Sequence, residues 1–271
     1  MDVAKRNNVT LQGSGDRVMM FGHGFGCDQS MWRHVARRFA DENRVVLFDN
    51  VGAGHSDLSA YSSEKYGTLN GYAADVIEIC ESLRLPKVVF VGHSVSATIG
   101  VLAAVKRPDL FSGLVLVCPS PRYANTDTYT GGFQSQDIAE LLDLLDLNHL
   151  EWSANMAPMV IGPGSEDVQD EWRESVCRTD PAAAKEFARV TFLSDHRDDY
   201  RAVTTPTLTI ECRIDSLAPR EVGAWVHQAI SGSRLTTLET SGHCPHMTDP
   251  AGVIDAVRTF LPSLDGLAAA A

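Results

Sequence analysis

The stretch Val88–Ala97 constrains the fold more than any other part of the chain. Its first four residues are apolar and predict a buried strand, and a helix-compatible run follows its last residue. Between them stands Ser94, with the small residues Gly92 and Ser96 on either side. A strand that turns sharply into a helix at a serine is typical of a nucleophile elbow, although ordinary βα turns share this pattern. The usual Gly-x-Ser-x-Gly motif is broken at Ser96, so the stretch makes Ser94 a candidate nucleophile and no more.

Short apolar runs alternate with helical patterns of about ten residues on both sides of this stretch, as expected for βαβ crossovers. One such helix is predicted to begin at an N-cap on Ser30 and to end near Phe39. The alternation predicts a mostly parallel sheet flanked by helices. Its predicted strands, besides the one before Ser94, are Val18–Gly22, Arg44–Asp49, Leu114–Val117, Thr207–Ile210 and Leu235–Leu238.

Residues 119–203 interrupt this alternation, because they contain no run that resembles a strand. An insertion of this length is too long for a loop, so we expect a helical cap over the carboxyl edge of the sheet. The predicted division is a core of residues 1–118 and 204–265, this cap, and an alanine-rich tail of residues 266–271. The four predicted cap helices are Asp137–Leu147, Leu150–Met159, Val168–Cys177 and Pro181–Leu193.

A serine hydroxyl needs a base within hydrogen-bond reach and an acid that orients the base. His243 follows the last predicted strand, and Asp215 lies a few residues beyond the strand that ends at Ile210. Their rivals are His246, which we expect to turn toward the next helix, and Glu211, which should point back along its strand. Nucleophile, acid and base then follow one another in the order found in α/β hydrolases.

An oxyanion hole needs backbone N–H donors. One is the N–H of Val95, which follows the candidate nucleophile, and the other is expected from the glycine-containing loop His23–Gly26. Within that loop we predict Phe25 N–H as the donor, with its ring beside the site. The alternative is that these glycines only form a tight turn.

Composition excludes several classes of function. The formal net charge of −12 disfavours nucleic acids and anionic membrane surfaces as partners, since both attract clustered basic residues. No run of about 18 apolar residues is present, and the six cysteines are scattered. We expect no secretory signal. We expect reduced thiols in a cytoplasmic protein.

No cofactor or metal is expected. The Gly-Ala-Gly of residues 52–54 lacks the third glycine of a dinucleotide turn. His243, Cys244 and His246 have side chains that bind metals, but no fourth ligand stands at a zinc spacing. The cap supplies aromatic, leucine and methionine side chains instead, and an apolar pocket suits a small hydrophobic ester or lactone.

At several motifs the sequence closely resembles the RsbQ-type α/β hydrolases of bacteria, which are relatives of the plant karrikin and strigolactone receptors. Ser96, the break in the elbow motif, is shared with the plant receptors and supports the resemblance. The resemblance spans nearly the whole chain, and its motifs lie at residues 22–30, 46–57, 90–97, 107–112, 119–123, 131–133 and 242–247.

The resemblance implies a four-helix cap over a deep apolar pocket, and it implies the roles already assigned to Ser94, Asp215, His243, Phe25 and Val95. It also implies that bacterial members activate a stress-response sigma-factor pathway together with a phosphatase that carries a PAS domain. Plant relatives hydrolyse butenolides slowly and signal through the cap. The predicted substrate-binding residues are Phe25, His93, Phe133, Trp152, Met156 and Phe192.

Three functions remain open at this point. The first is hydrolysis of a small ester or lactone, and the second is a ligand sensor or partner-binding protein in which hydrolysis is slow or incidental. The third is a cofactor-free haloperoxidase or a carbon–carbon bond hydrolase, which would use the same three residues. Haloalkane dehalogenases are excluded more firmly, because they need an aspartate where Ser94 stands.

Overall fold

A seven-stranded sheet forms the centre of the computed structural model, which describes residues 2–268. The strand order is β1-β3-β2-β4-β5-β6-β7, and every neighbouring pair is parallel except β1 with β3. The predicted mostly parallel sheet is therefore confirmed. The strands are β1 Thr10–Gln12, β2 Val18–Gly22, β3 Arg44–Leu47, β4 Val88–His93, β5 Phe111–Val117, β6 Thr207–Ile214 and β7 Arg234–Ser241.

Helices cover both faces of the sheet. Side chains alternate along each buried strand, so Met20 packs on the side of α4 and α5, whereas Met19 and Phe21 pack on the side of α2 and α13. The helices are α1 Val3–Arg6, α2 Arg33–Phe39, α3 Ser63–Tyr66, α4 Leu69–Ser82, α5 Val95–Lys106, α6 Ser135–Leu147, α7 His149–Ile161, α8 Glu166–Arg178, α9 Pro181–Phe192, α10 Arg197–Arg201, α11 Arg220–Ala229, α12 Pro245–Thr248, α13 Pro250–Phe260 and α14 Pro262–Ala268.

The helices α6 to α9 lie between β5 and β6 in the chain, and we call them the cap. Their apolar faces form a cluster with residues of the sheet's carboxyl edge, among them Cys27, Tyr123 and Cys244. The cap therefore closes over the edge where the candidate nucleophile lies. Among the described residues, no helix is both long enough and apolar enough to cross a bilayer.

Two local expectations are corrected, and one short strand is additional. A 3-10 turn, Gln29–Trp32, precedes α2, and its N-cap is Asp28 rather than Ser30, because the Asp28 carboxylate accepts the Ser30 N–H. The strand β6 continues to Ile214, so Asp215 follows it directly and Glu211 lies inside it. The short edge strand β1 was not predicted.

The predicted tail also differs from the structure. Residues up to Ala268 belong to α14, which begins at Pro262. The remainder of the predicted tail, residues 269–271, lies outside the described residues, as does Met1.

Candidate active site

Ser94 sits on a strained turn between β4 and α5. Its backbone has φ 54° and ψ −122°, a conformation that side-chain-bearing residues rarely adopt. The turn is tight, since a Cβ on Gly92 would lie 2.5 Å from the carbonyl oxygen of Ser96. The Ser94 N–H donates to the carbonyl of Val117 on the neighbouring strand at 2.9 Å. This geometry is a nucleophile elbow, and it presents Ser94 Oγ at the carboxyl edge of the sheet.

The three predicted triad residues are in mutual contact. Ser94 Oγ lies 2.8 Å from His243 Nε2, and His243 Nδ1 lies 2.7 Å from Asp215 Oδ2. All three residues are buried. Because an ionised carboxylate only accepts hydrogen bonds, Nδ1 carries the proton and Nε2 is free to accept from the serine hydroxyl.

Asp215 is held by backbone donors of its own loop. Its Oδ1 accepts the N–H groups of Leu217 and Ala218 at 2.9 and 3.1 Å, which leaves Oδ2 for His243. Just before Asp215, the pairing of β6 with β7 is irregular between Cys212 and Ile214. The acid is therefore oriented before any substrate binds.

The loop that holds Phe25 passes directly beside the elbow. A Cβ on Gly24 would lie 2.5 Å from His93 Nδ1 and 3.3 Å from Ser94 Cβ, so only glycine allows this approach. On the other side, Val95 is the first residue of α5, where a backbone N–H has no partner within the helix. The two predicted oxyanion donors thus belong to segments that meet at Ser94.

The hydroxyl of Ser96 explains the break in the elbow motif. It donates to the carbonyl of His23 at 2.5 Å and accepts from Asn50 Nδ2 at 3.3 Å. The Asn50 N–H donates to His23 Nε2 at 3.0 Å, so His23 Nδ1 donates to the Gly24 carbonyl at 2.9 Å. Ser96 therefore ties α5 to the start of the loop that carries Phe25.

An apolar cavity with a free volume of about 30 Å³ lies beside Ser94. Of the predicted substrate-binding residues, the cavity is lined by Phe25, His93, Trp152, Met156 and Phe192. Phe133 is a correction, because it is not among the lining residues and instead packs against Tyr123, with ring centroids 6.4 Å apart. The lining also includes residues that were not predicted: Tyr123, Val160, Trp172, Thr191, Leu217 and Cys244.

Comparison with known proteins agrees with this geometry. The Alpha/beta hydrolase family matches residues 19–256. The chain belongs to this family.

Two plant relatives of this hydrolase cover almost its whole length. A karrikin insensitive 2 receptor of Petunia hybrida is 38% identical over 254 residues, which are 93% of this chain and 94% of that protein. A strigolactone esterase of Arabidopsis thaliana is 34% identical over 256 residues, or 94% of this chain and 96% of that protein. The predicted relation to the karrikin and strigolactone receptor hydrolases is confirmed.

A solved structure of a hydrolase from Oleispira antarctica superposes with a TM-score of 0.94 at 40% identity and covers 96% of both chains. Together these likenesses confirm the α/β-hydrolase fold and the prediction that the chain is an enzyme of the serine hydrolase class.

Tyr123 is a site residue of this hydrolase that sequence analysis missed. Its hydroxyl lies 3.3 Å from Ser94 Oγ. Since the serine proton is donated to His243, Tyr123 must donate to Ser94, and burial raises the pKa of its phenol so that it keeps its proton. The available signal was its place in the segment after β5, at the same sheet edge as Ser94.

Within the described part of the chain, two groups of buried side chains could contact a metal. One is His93, Cys244 and His246, and the other is Cys118 with the triad residues Asp215 and His243. The residues fit a metal poorly, because His93 Nε2 donates to the His243 carbonyl at 2.8 Å and the two triad residues hold each other. Burial lowers the pKa of His93 well below its usual value and that of His246 to about 3, so both rings are neutral.

Proposed function

We propose that the chain hydrolyses small hydrophobic esters or lactones, with Ser94 as nucleophile, His243 as base and Asp215 as the acid that orients it. The observation that carries this proposal is the hydrogen-bonded series from Asp215 to Ser94, which ends at an apolar cavity. Residues 119–203 serve as the cap over this cavity, and residues 1–118 and 204–265 serve as the catalytic core.

In the first step Ser94 Oγ attacks the carbonyl carbon while His243 Nε2 takes the hydroxyl proton. The negative charge that forms on the carbonyl oxygen is stabilised by the N–H groups of Phe25 and Val95. Asp215 stabilises the imidazolium through its hydrogen bond to Nδ1. His243 then protonates the leaving oxygen, and a water molecule, activated in the same way, releases the acyl group from Ser94.

The substrate class is inferred from the cavity. Its free volume of about 30 Å³ is small, which favours a compact substrate. Aromatic and aliphatic side chains dominate its lining, and no Lys, Arg, Asp or Glu is among them. A charged substrate would lose its hydration there without compensation, so a neutral molecule such as a butenolide is favoured.

The central test uses a fluorogenic short-chain aryl ester and the variant Ser94→Ala. We expect kcat to fall to the background rate, and we expect a phenylmethylsulfonyl reagent to label Ser94 of the unmodified chain, as read by mass spectrometry. The control is Ser153→Ala, another buried serine, whose hydroxyl donates to the Leu150 carbonyl. Full activity of Ser94→Ala would overturn the proposal.

A signalling role is a second candidate, because a relative of 38% identity is named a receptor. In this form the chain binds its ligand in the cytoplasm, hydrolyses it slowly and acts on a partner such as a phosphatase with a PAS domain. Pre-steady-state kinetics separates the two: one product molecule per enzyme followed by negligible turnover favours signalling, and sustained turnover favours a metabolic hydrolase. Capture of such a phosphatase only by ligand-bound protein would support the partner.

A further inference from the structure

The cap helix α8 lies along the loop that carries Phe25 and contacts it at successive positions. A Cβ on Gly26 would lie 2.7 Å from Val176 Cγ2 and 3.2 Å from the ring of Trp172. Two residues farther along the loop, Asp28 Oδ2 accepts from Arg178 at 2.8 Å and from the Ser175 hydroxyl at 3.4 Å. One face of α8 therefore packs against this loop, and we call residues 24–28 the oxyanion loop.

The loop is confined from both sides around Phe25. Gly24 lies against His93 and Ser94 on the core side, and Gly26 lies against α8 on the cap side. Gly26 also has φ 70°, a conformation that suits glycine. With no side chain at either position to absorb a displacement, movement of α8 must alter the position of the Phe25 backbone between them.

Asp28 is the charged anchor of this contact. Its side chain is 7% exposed, whereas that of Arg178 is 42% exposed. Burial would raise the pKa of Asp28, but hydrogen bonds from Ser30 and Arg178 outweigh it and lower the pKa to about 2. The carboxylate is thus ionised at neutral pH, and loss of Arg178 would leave a buried charge without its ionic partner.

We propose that the Asp28–Arg178 ion pair positions the oxyanion loop, so that full catalytic activity requires α8 to be seated on the core. Both are positioning residues, since they act through the backbone of Phe25 and do not contact the cavity. The inference rests on the proposed function, in which Phe25 N–H stabilises the oxyanion. It makes the cap a determinant of transition-state stabilisation as well as of pocket shape.

The inference is tested with Arg178→Met and a matched control, Arg173→Met. Arg173 lies on the same helix and has a similar side-chain exposure of 47%, but its ion pair is with Asp170 of α8 itself. Each variant is assayed with a short-chain aryl ester and with a trifluoromethyl ketone, which binds Ser94 as a hemiketal whose oxyanion needs the same donors.

For Arg178→Met we expect kcat and the affinity for the trifluoromethyl ketone to fall together by about tenfold, with KM changed less than about twofold. Arg178→Lys should recover most of both losses, because it restores the charge. Arg173→Met should match the unmodified chain. Equal kcat and ketone affinity in the two methionine variants would overturn the inference, and so would a loss of kcat without loss of ketone affinity.

Thermal unfolding of each variant is recorded so that activity is measured well below its midpoint, which separates misplacement of the loop from unfolding. The result is also separable from failure of the proposed function. If Ser94→Ala stays active, the proposed function fails. If Ser94→Ala is inactive while Arg178→Met is unaffected, only the ion-pair inference fails.

Discussion

The core and the cap face the same cavity from opposite sides, and they hold their residues by different means. In the core the triad follows strand ends that are joined by backbone hydrogen bonds, such as Ser94 N–H to the Val117 carbonyl and Gly242 N–H to the Ile214 carbonyl. The cap contacts the cavity with side chains of amphipathic helices, and its own surface keeps large apolar residues exposed. These include Leu147 and Leu150, together with Leu193 at the C-cap of α9.

This difference separates two properties of the enzyme. Backbone pairing sets the distances between reacting atoms to a fraction of an ångström, whereas packing of side chains from separate helices sets the shape of the pocket. Substitutions in the core should therefore act mainly on kcat, and those in the cap mainly on KM. The ion pair of Asp28 with Arg178 is the proposed exception.

The largest expected effect concerns the core acid. Asp215→Asn should lower kcat by about 10⁴-fold, because the amide favours the wrong tautomer of His243. Steady-state hydrolysis of an aryl ester measures the loss, and Asp255→Asn, an exposed residue of α13, is the control. A loss of less than tenfold would mean that Asp215 does not orient the base.

The next effect is on stability in acid. His246 is fully buried against Trp32 and His93, and among the described residues neither of its ring nitrogens has a hydrogen-bond partner. Its pKa of about 3 in the folded chain lies below the ordinary 6.5. Below pH 6.5 the unfolded chain therefore binds more protons, and the free energy of unfolding falls as the pH is lowered.

For this one histidine the loss between pH 7.5 and pH 5 is about 2 kcal/mol, or roughly 30-fold in the unfolding equilibrium. His246→Phe should remove that part of the pH dependence, as measured by urea unfolding at both pH values. His55→Phe, at an exposed position, should retain it. The same slope in both variants would show that the buried imidazole does not control the acid sensitivity of the core.

A smaller effect is expected for Ser96→Ala, which removes the hydrogen bond from α5 to the His23 carbonyl. One such bond contributes about 1 kcal/mol, so kcat should fall about fivefold to tenfold while KM stays constant. The trifluoromethyl ketone should lose affinity in proportion. An unchanged kcat would show that the core side of the oxyanion loop is held well enough without this hydroxyl.

The smallest effect is expected in the cap. Met156→Ala removes a buried side chain that lines the cavity, so KM for an ester with a longer acyl chain should fall about threefold. For the acetate ester kcat should stay within about twofold. Met159→Ala, on the same helix and 39% exposed, is the control. A loss of kcat as large as that of Ser96→Ala would contradict the separation of core from cap.

The sequence predicted the parts of this molecule whose signal is local. Val88–Ala97 contains a strand, a serine turn and a helix start within ten residues, and the structure has all three there. Residues that follow other strands, Asp215 and His243, reach the same edge because parallel strands share it. The helices of the cap were also predicted, since each carries its own apolar periodicity.

Other parts depend on how distant segments meet. The path of the segment after β5 decides that the Tyr123 hydroxyl contacts Ser94 and that Phe133 does not line the cavity. The path of the segment after β2 decides that Ser96 bonds to the His23 carbonyl. Neither segment has a periodicity of its own. The N-cap Asp28 was missed for a related reason. Both Asp28 and Ser30 are favourable N-cap residues, and only the observed backbone selects between them.

The sequence by itself thus determined the fold class and which residues can form a Ser-His-Asp series, because strand ends and turns are short-range features. Only the tertiary structure decided which side chains line the cavity and that Arg178 of the cap pairs with Asp28, 150 positions away in the chain. Contacts of this kind depend on packing between elements that the order of residues does not specify locally. The connection between the cap and the oxyanion loop is therefore a property of the folded molecule.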